Sequence, residues 1–229
     1  MRFPVPLTSG RLVRRYKRFL ADCLLDSGEE VTAHVANSGS MLGLATPGSR
    51  VYLARSNDPK RKLAWSWQLV EVDGALVGID TGLSNRIVAE AIARGHVPAL
   101  AGYETLRREV PYGTRSRVDM LLESAGRPPC YVEVKSVTLS RRPAMAEFPD
   151  AVTARGARHL AELATMVEAG ARAVLAYLVQ RGDCHHFELA ADIDPVYARA
   201  AGAARAAGVE MLVMRAEVTP AGIEIRPDF

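Results

Sequence analysis

Three charged residues within one short segment have the chemistry needed to hold a divalent metal beside a phosphodiester. Asp119 lies in the apolar run 117–123, and Glu133 and Lys135 lie in the next run, 130–137. Carboxylates are the hard oxygen ligands that Mg²⁺ prefers, and a nearby lysine can orient a water molecule or stabilise charge on phosphate. The segment therefore predicts that Asp119 and Glu133 bind Mg²⁺ or Mn²⁺ and that Lys135 serves an attacking water.

Two strands joined by a turn must position these side chains. Apolar and charged residues alternate in CYVEVKSV, so Glu133 and Lys135 share one face of a strand, about 7 Å apart. A turn at 124–129 makes the two strands antiparallel neighbours and brings Asp119 opposite the second strand. The alternative is an exposed Glu–Lys pair on a hairpin, which would contribute little to stability.

The first eighty residues are predicted to form a small β-barrel. Five β-prone runs alternate with turn signals, at 12–25, 31–35, 50–55, 64–72 and 75–79. Asp73-Gly74, between the last two runs, is typical of a tight hairpin turn. Five short strands in about 70 residues fit an OB-type barrel, whose strand face and loops commonly bind single strands, although an SH3-like barrel would give a similar pattern.

Helices and strands alternate in the rest of the chain. The first predicted helix runs from about Arg86 to Arg94, with Asn85 as its cap and Gly95 as its end. The later predicted elements are strands at 103–110, 118–123 and 130–137, a helix from Thr153 to Gly170, a strand at 173–179, a helix from Pro195 to 207, and strands at 209–216 and 223–225. We expect a nucleic-acid-binding barrel domain at 1–82 and an α/β domain at 83–229.

The order helix, three strands, helix, strand resembles the core of the PD-(D/E)XK nuclease superfamily. Asp119 and Glu133-Val134-Lys135 fill the positions of its sequence motif. The resemblance implies a metal-dependent nuclease fold for the second domain. It also implies that Glu90, on the first predicted helix, is a further metal ligand.

Longer segments resemble the sugar fermentation stimulation protein family (SfsA). They are AHVANSGSMLG at 33–43, PKRKL at 59–63, TGLSN at 81–85, GTRSRVD at 113–119, VEVK at 132–135 and FPDAVTARGARHL at 148–160. These segments cover both predicted domains in the expected order. The resemblance implies an OB-like N-terminal domain, a nuclease-like C-terminal domain and a link to sugar metabolism, and it implies DNA binding more firmly than cleavage.

Three groups of basic residues are candidates for contact with nucleic-acid phosphates. They are Arg14, Arg15, Lys17 and Arg18 in the first group, Lys60, Arg61 and Lys62 in the second, and Arg115 and Arg117 in the third. The first group is interleaved with aromatic residues on a predicted barrel strand, which suits phosphate contact and base stacking. The second lies on a predicted loop, and the third borders Asp119. A solvated edge strand and ordinary loop charge are the alternatives for the first two groups.

The second predicted helix carries a further basic group. Arg155, Arg158 and His159 lie in its first turns, where the helix N-terminus attracts phosphate. Solvation on the helix surface explains them equally well. The sequence leaves both explanations open.

Composition limits the class of protein. The 229 residues carry a formal net charge of +3, and no apolar run approaches the roughly 18 residues of a membrane-spanning helix. The basic N-terminal segment lacks the apolar stretch of a secretory signal. The three cysteines (Cys23, Cys130 and Cys184) have no CxxC spacing, so we expect thiols in a cytoplasmic protein.

Three functional hypotheses follow from these patterns. The first is a DNA-binding protein, without strong sequence specificity, whose Mg²⁺-dependent nuclease-type site hydrolyses phosphodiesters. The second is a non-catalytic DNA-binding regulator of sugar metabolism on an inactivated nuclease scaffold. The third is a nucleotide- or sugar-handling enzyme that uses the same acids.

Overall fold

A β-barrel is followed by an α/β unit in the computed structural model, which describes residues 1–113 and 116–226. The barrel strands run from β1 (Thr8–Tyr16) to β6 (Ala75–Gly78). The α/β unit runs from α1 (Ser84–Ala93) to β15 (Gly222–Ile225). The architecture confirms the fold class expected from the sequence.

The barrel has the strand connectivity of an OB fold. Its remaining strands are β2 (Leu20–Leu25), β3 (Glu30–His34), β4 (Arg50–Arg55) and β5 (Trp65–Val72). Neighbours follow the order β3-β2-β1-β4-β5-β6, and a parallel pairing of β3 with β5 closes the barrel. Trp67 fills the interior, where it is fully buried and its indole N–H donates to the Leu69 carbonyl at 2.8 Å.

A hairpin replaces the single β-prone run predicted at 12–25. β1 ends at Tyr16, and the chain turns at Lys17 and Arg18, whose φ angles are 46° and 63°. The prediction that the whole first basic group lies on one barrel strand is therefore wrong, because Lys17 and Arg18 lie in the turn. The turn lies in the left-handed region that glycine or asparagine usually marks, so the sequence offered no signal for it.

The α/β unit is built on a second six-stranded sheet. Its strands, in spatial order, are β15, β14 (Glu210–Thr219), β12 (Arg172–Val179), β9 (Cys130–Val137), β8 (Ser116–Glu123) and β7 (Thr105–Tyr112). The three strands β9, β12 and β14 are parallel, and β8 is antiparallel to β9. On one face Val132 and Val134 pack with α1, and on the other α2 (Ala154–Glu168) and α3 (Pro195–Ala206) pack over Leu175 and Tyr177.

A small third sheet was not predicted. It consists of β10 (Leu139–Arg142), β11 (Met145–Phe148) and β13 (His186–Leu189), in the order β10-β11-β13. Its strands have four residues each, which is too short for periodicity to separate them from loop. The hairpin of β10 and β11 leads the chain from β9 to the start of α2.

Hydrogen bonds join the barrel to the α/β unit. The Gly78 N–H donates to the Gln180 carbonyl at 2.9 Å. Ser40 Oγ donates to the Asp150 carbonyl at 2.6 Å, and the Met41 N–H donates to the Asp150 carboxylate at 3.0 Å. A barrel loop is thereby fixed against the loop that precedes α2, and a cavity lies between the two units.

The first residues of the chain lie against the last strand of the α/β sheet. The Ile223 N–H donates to the Met1 carbonyl at 2.9 Å, so the first residues pair with β15 and not with the barrel. All three cysteines are buried free thiols. Within 1–113 and 116–226, no helix is long and apolar enough to cross a membrane.

Candidate active site

A cavity of about 410 Å³ lies between the barrel and the α/β unit. Its walls are the barrel loop 37–39, the start of α1, the loop that leads into α2 and the first turns of α2. Asp119, Glu133 and Lys135 all line it. The structure thus brings the three residues of the predicted catalytic set to one place.

Asp119 is oriented by two hydrogen bonds. The pairing of β8 with β9 ends where Met120 faces Val132. One residue further on, Asp119 Oδ2 accepts the Val134 N–H at 2.7 Å, and its Oδ1 accepts from Asn85 Nδ2 at 2.7 Å. Burial raises the pKa of Asp119, and the negative charge of Glu133 raises it further, against the effect of the two hydrogen bonds.

Glu133 lies at the base of the cavity with 3% of its surface exposed. Its Oε1 accepts from Lys135 Nζ at 2.7 Å and contacts His159 Nδ1. Its Oε2 is buried and has no hydrogen-bond partner among the described residues. Burial acts to raise the pKa of Glu133, but the contacts with His159 and Lys135 outweigh it, so the pKa is lowered and the carboxylate stays charged.

This donor set fits a hard divalent cation that keeps part of its water shell. The described residues contain no cluster of three or more His, Cys, Asp or Glu side chains suited to a metal. Two carboxylates are nevertheless enough for Mg²⁺, which usually takes its remaining ligands from water and substrate phosphate. The unpartnered Oε2 of Glu133 is a buried anionic acceptor that a cation would satisfy.

The structure places Glu90 away from the cavity, against the expectation that it is a metal ligand. Its Oε1 accepts from Arg94 at 2.8 Å, and its Oε2 lies 3.5 Å from the Met1 amino group. Five residues along an α-helix correspond to about 140° of rotation, so Glu90 and Asn85 face different sides of α1. The α1 residue that reaches Asp119 is therefore Asn85.

Asn85 and His159 are site residues that the sequence analysis did not assign to the metal-binding set. Asn85 was predicted to cap a helix, but α1 begins at Ser84 and the Asn85 side chain binds Asp119. His159 is 3% exposed and contacts Glu133 from α2. The sequence signal that could have found His159 is its spacing of four residues from Leu163, which places both side chains on the same buried face of α2.

Two residues of the first basic group are bound within the barrel. Arg14 forms an ion pair with Asp22 at 2.8 Å, and its guanidinium lies 4.7 Å from the centre of the Tyr16 ring. Arg15 is half-buried and donates to the carbonyls of Arg18, Asn37, Gly39 and Ser40. Arg15 therefore joins the hairpin turn to the cavity loop through its terminal Nη groups, which donate to backbone carbonyls.

The other candidate phosphate-binding cations of the barrel are exposed. Lys17 and Arg18 lie at the tip of the β1–β2 hairpin, and Lys60, Arg61 and Lys62 lie on the loop between β4 and β5. Arg61 donates to Ser66 at 2.9 Å and interacts electrostatically with Asp80, next to the cavity residue Thr81. Both loops thus lie at the end of the barrel that faces the α/β unit.

The third basic group is described in part. Arg117 is exposed and donates to the Glu109 carbonyl at 3.0 Å. Arg115 lies outside the described residues. Among the described residues, Arg117 is therefore the member of this group that lies beside Asp119 as a candidate for phosphate contact.

The fold and the cavity define an OB barrel joined to a PD-(D/E)XK nuclease-like unit with an acidic site between them. A family model described as the SfsA N-terminal OB domain matches residues 13–79, and one described as the sugar fermentation stimulation protein RE domain matches 82–222. The chain belongs to the sugar fermentation stimulation protein family.

Similar proteins cover nearly the whole chain. A sugar fermentation stimulation protein homolog of Rhodospirillum centenum is 61% identical over 225 residues, covering 98% of this chain and 97% of that protein. A homolog of Ruegeria pomeroyi is 57% identical over 226 residues, covering 98% of each. The solved structure of Pyrococcus furiosus SfsA in complex with Ca²⁺ has a TM-score of 0.89 at 27% identity, covering 99% of this chain and 95% of that one.

Proposed function

We propose that this protein binds DNA and hydrolyses phosphodiesters at the cavity with Mg²⁺ or Mn²⁺. The observation that carries the proposal is the buried, unpartnered Oε2 of Glu133, in a cavity that Asp119 and Lys135 also line. Leaving a buried carboxylate oxygen without a partner costs free energy unless a ligand satisfies it. We infer that a divalent cation is that ligand.

The chain's own residues would share the work as follows. Asp119 and Glu133 would hold the cation, with Asp119 oriented by Asn85 and by the backbone of β9. A bound Mg²⁺ would lower the pKa of a coordinated water and stabilise charge on phosphate. Lys135, whose Nζ lies 2.7 Å from Glu133 Oε1, would orient the attacking water.

The related structure supports the class of cation. Pyrococcus furiosus SfsA was solved in complex with Ca²⁺, and its fold covers almost all of this chain. Calcium and magnesium both prefer oxygen ligands, so carboxylates that bind one are candidates for the other. Ca²⁺ is therefore a suitable probe of the site.

The exposed cations support DNA as the partner. Lys17, Arg18 and 60–62 lie at the barrel end that faces the α/β unit, and Arg117 lies two residues from Asp119. Contacts from such side chains to phosphates give affinity without reading bases. We propose binding without strong sequence specificity, in a reducing compartment such as the cytoplasm, because the cysteines are free thiols.

A second candidate is a non-catalytic DNA-binding regulator of sugar metabolism. It is favoured by the small donor set, since the described residues give the cavity no third carboxylate or imidazole arranged for a metal. In this case the same surface would bind DNA, and the cavity would be an inactivated nuclease site. Only the first function predicts that the protein cleaves DNA and that the cleavage depends on Lys135.

Cleavage and binding assays separate these functions. Supercoiled, linear and single-stranded DNA would be incubated with Mg²⁺ or Mn²⁺ and wild type, Lys135→Ala, or the control Arg205→Ala, an exposed cation in the last turn of α3 and outside the cavity lining. The proposal expects cleavage by wild type and Arg205→Ala, and a loss of about 10²-fold or more in Lys135→Ala. Absence of cleavage in all three with intact, salt-sensitive binding would favour the regulator. Absence of DNA binding at low salt would favour a nucleotide- or sugar-handling enzyme.

A further inference from the structure

A row of three side chains leads from the base of the cavity to its rim. Glu133 Oε1 contacts His159 Nδ1, and His159 Nε2 lies 3.2 Å from Nε of Arg155. Glu133 and His159 are each 3% exposed, whereas Arg155 is exposed and lines the cavity. Arg155 and His159 are four residues apart on α2, so they lie on the same face of that helix.

The hydrogen-bonding partners fix the tautomer of His159. A guanidinium has only donors and stays protonated, so His159 Nε2 must accept the hydrogen bond from Arg155. The proton of the neutral imidazole is then on Nδ1, which donates to Glu133 Oε1. Glu133 Oε1 thus receives donors from His159 and Lys135, and Oε2 is left for another partner.

The same contact determines where Arg155 points. Its Nε is used by His159, and its two terminal Nη groups make no hydrogen bond with the described residues. Four N–H donors therefore remain on a guanidinium at the cavity wall. Such a planar donor array matches two oxygens of a phosphate, and the adjacent N-terminus of α2 adds positive potential.

We propose that Arg155 contacts a non-bridging phosphate oxygen of the bound strand, and that His159 is the positioning residue that orients both Arg155 and Glu133. The inference rests on the proposed function, because it names the contact that holds the strand over the acidic site. Arg158 provides a matched control. It lies on α2, is exposed, and is absent from the cavity lining.

Binding of a labelled oligonucleotide in Ca²⁺ would test the arginine. We expect Arg155→Ala to raise the Kd about tenfold, as for loss of one charge-assisted hydrogen bond, and to reduce the salt slope by about one unit. Arg158→Ala should change the Kd less than about twofold, as is usual for an exposed charge. Alanine suits a helix, and a thermal melt of each variant would verify folding.

Two substitutions of His159 separate its two contacts. The amide of asparagine reaches about as far as Nδ1, so His159→Asn keeps a donor for Glu133 and loses the acceptor for Arg155. The amide of glutamine reaches about as far as Nε2, so His159→Gln does the opposite. We expect His159→Asn to keep the Ca²⁺ affinity of wild type and to bind DNA as weakly as Arg155→Ala. We expect His159→Gln to lose Ca²⁺ affinity and to keep the contribution of Arg155 to DNA binding.

The outcomes distinguish this inference from the proposed function. Equal oligonucleotide binding by Arg155→Ala and wild type, or an equal loss in Arg158→Ala, would overturn the role of Arg155 only. Identical behaviour of His159→Asn and His159→Gln would overturn the positioning role. A wild-type chain that binds no oligonucleotide at low salt would overturn the proposed function, and this inference with it.

Discussion

Asp119 Oδ2 accepts the Val134 N–H at 2.7 Å, at the point where the backbone pairing of β8 and β9 has ended. A side chain thus continues the ladder of hydrogen bonds for one more step. The partner strand is the one that carries Glu133, so the orientation of one acid is tied to the backbone that bears the other. Such support fixes a charged side chain without additional charged groups.

Replacing Asp119 by asparagine should abolish stabilisation by metal without unfolding the protein. Burial raises the pKa of Asp119, so its ionisation lowers the free energy of unfolding as pH rises through that pKa. Asp119→Asn removes this cost. However, the N–H₂ of the new amide would face one of the two groups that now donate to Asp119, so one hydrogen bond would be lost. We expect the metal-free protein to stay within about 1 kcal/mol of wild type, or about 2–4 °C in Tm.

Ca²⁺ should separate the two proteins in a thermal melt. At 100 times Kd, a ligand specific to the folded state stabilises it by about 2.7 kcal/mol, and we expect this gain in wild type only. Asp58→Asn, at an exposed loop carboxylate, should respond to Ca²⁺ like wild type. An equal Ca²⁺ response in Asp119→Asn would remove Asp119 from the metal site.

Gly39 lies against the Asp150 carboxylate with no free space for a side chain. A Cβ on Gly39 would lie 2.5 Å from Asp150 Oδ2, so in Gly39→Ala either the carboxylate turns away and loses the hydrogen bond from the Met41 N–H, or the barrel loop shifts. We expect a loss of about 1–3 kcal/mol, as for overpacking, measured by urea denaturation. Gly202→Ala, exposed within α3 with no atom near its Cβ position, should instead stabilise by up to about 1 kcal/mol.

A double-mutant cycle would locate the effect of Gly39→Ala. In an Asp150→Ala background the clashing carboxylate is absent, so adding Gly39→Ala should cost less than about 0.5 kcal/mol. Undiminished cost in that background would show that the strain lies elsewhere in the loop.

Asp194 should make the protein less stable at acidic pH than at neutral pH. Its Oδ1 accepts the Tyr197 N–H at 2.8 Å and caps α3, and its Oδ2 accepts the Thr153 N–H at 2.7 Å. Burial acts to raise the pKa of Asp194, but these backbone donors outweigh it and lower the pKa. Because the folded-state pKa lies below the unfolded value, this stabilisation is present above the unfolded pKa and is lost as pH falls through the folded one.

Asp194→Asn should therefore differ from wild type most at neutral pH. At pH 7 we expect the free energy of unfolding of Asp194→Asn to be about 1 kcal/mol below that of wild type, as for a weakened helix cap. This difference should narrow as the pH falls below about 4. Urea denaturation between pH 7 and pH 3 would measure it. If the difference in free energy of unfolding between the two proteins stays constant over this range, the charge of Asp194 does not contribute to stability.

Arg15 and Arg18 should affect different measurements although they are neighbours. Arg15 donates to four carbonyls that hold the hairpin and the cavity loop, so Arg15→Lys should lower the free energy of unfolding by about 2 kcal/mol. Arg18→Ala, at the exposed turn, should weaken DNA binding with little change in Tm. A salt-dependent binding titration beside a thermal melt would detect both, and the reverse pattern would contradict the assignment.

The sequence was most informative where a residue's neighbours along the chain determine its place. Alternation in CYVEVKSV predicted the strand that carries Glu133, and Thr153 was correctly predicted to open α2, where it accepts the Gly156 N–H at 3.1 Å. The prediction that the first helix of the α/β unit ends at Gly95 was also correct, and the φ angle of Gly95 is 73°. These features depend on local periodicity and backbone conformation.

Contacts between distant segments could not be predicted in the same way. Asn85 has the residue type of a helix cap, but Asp80 caps the preceding 3₁₀ turn and leaves Asn85 to bind Asp119. His159 reaches Glu133 across 26 positions. Lys17 and Arg18 occupy a left-handed turn that their side chains do not favour. In each case tertiary packing decides between local alternatives of similar energy.

The contact between Gly39 and Asp150 also bears on how such a protein can change over generations. The cavity wall is shared by two halves of the polypeptide, so a barrel taken from a distant homologue would fit only if its loop suited the recipient's residue at position 150. We expect the residue types at positions 39 and 150 to change together across relatives. The two halves would then change together in evolution, although the barrel and the α/β unit each contain a hydrophobic cluster of their own.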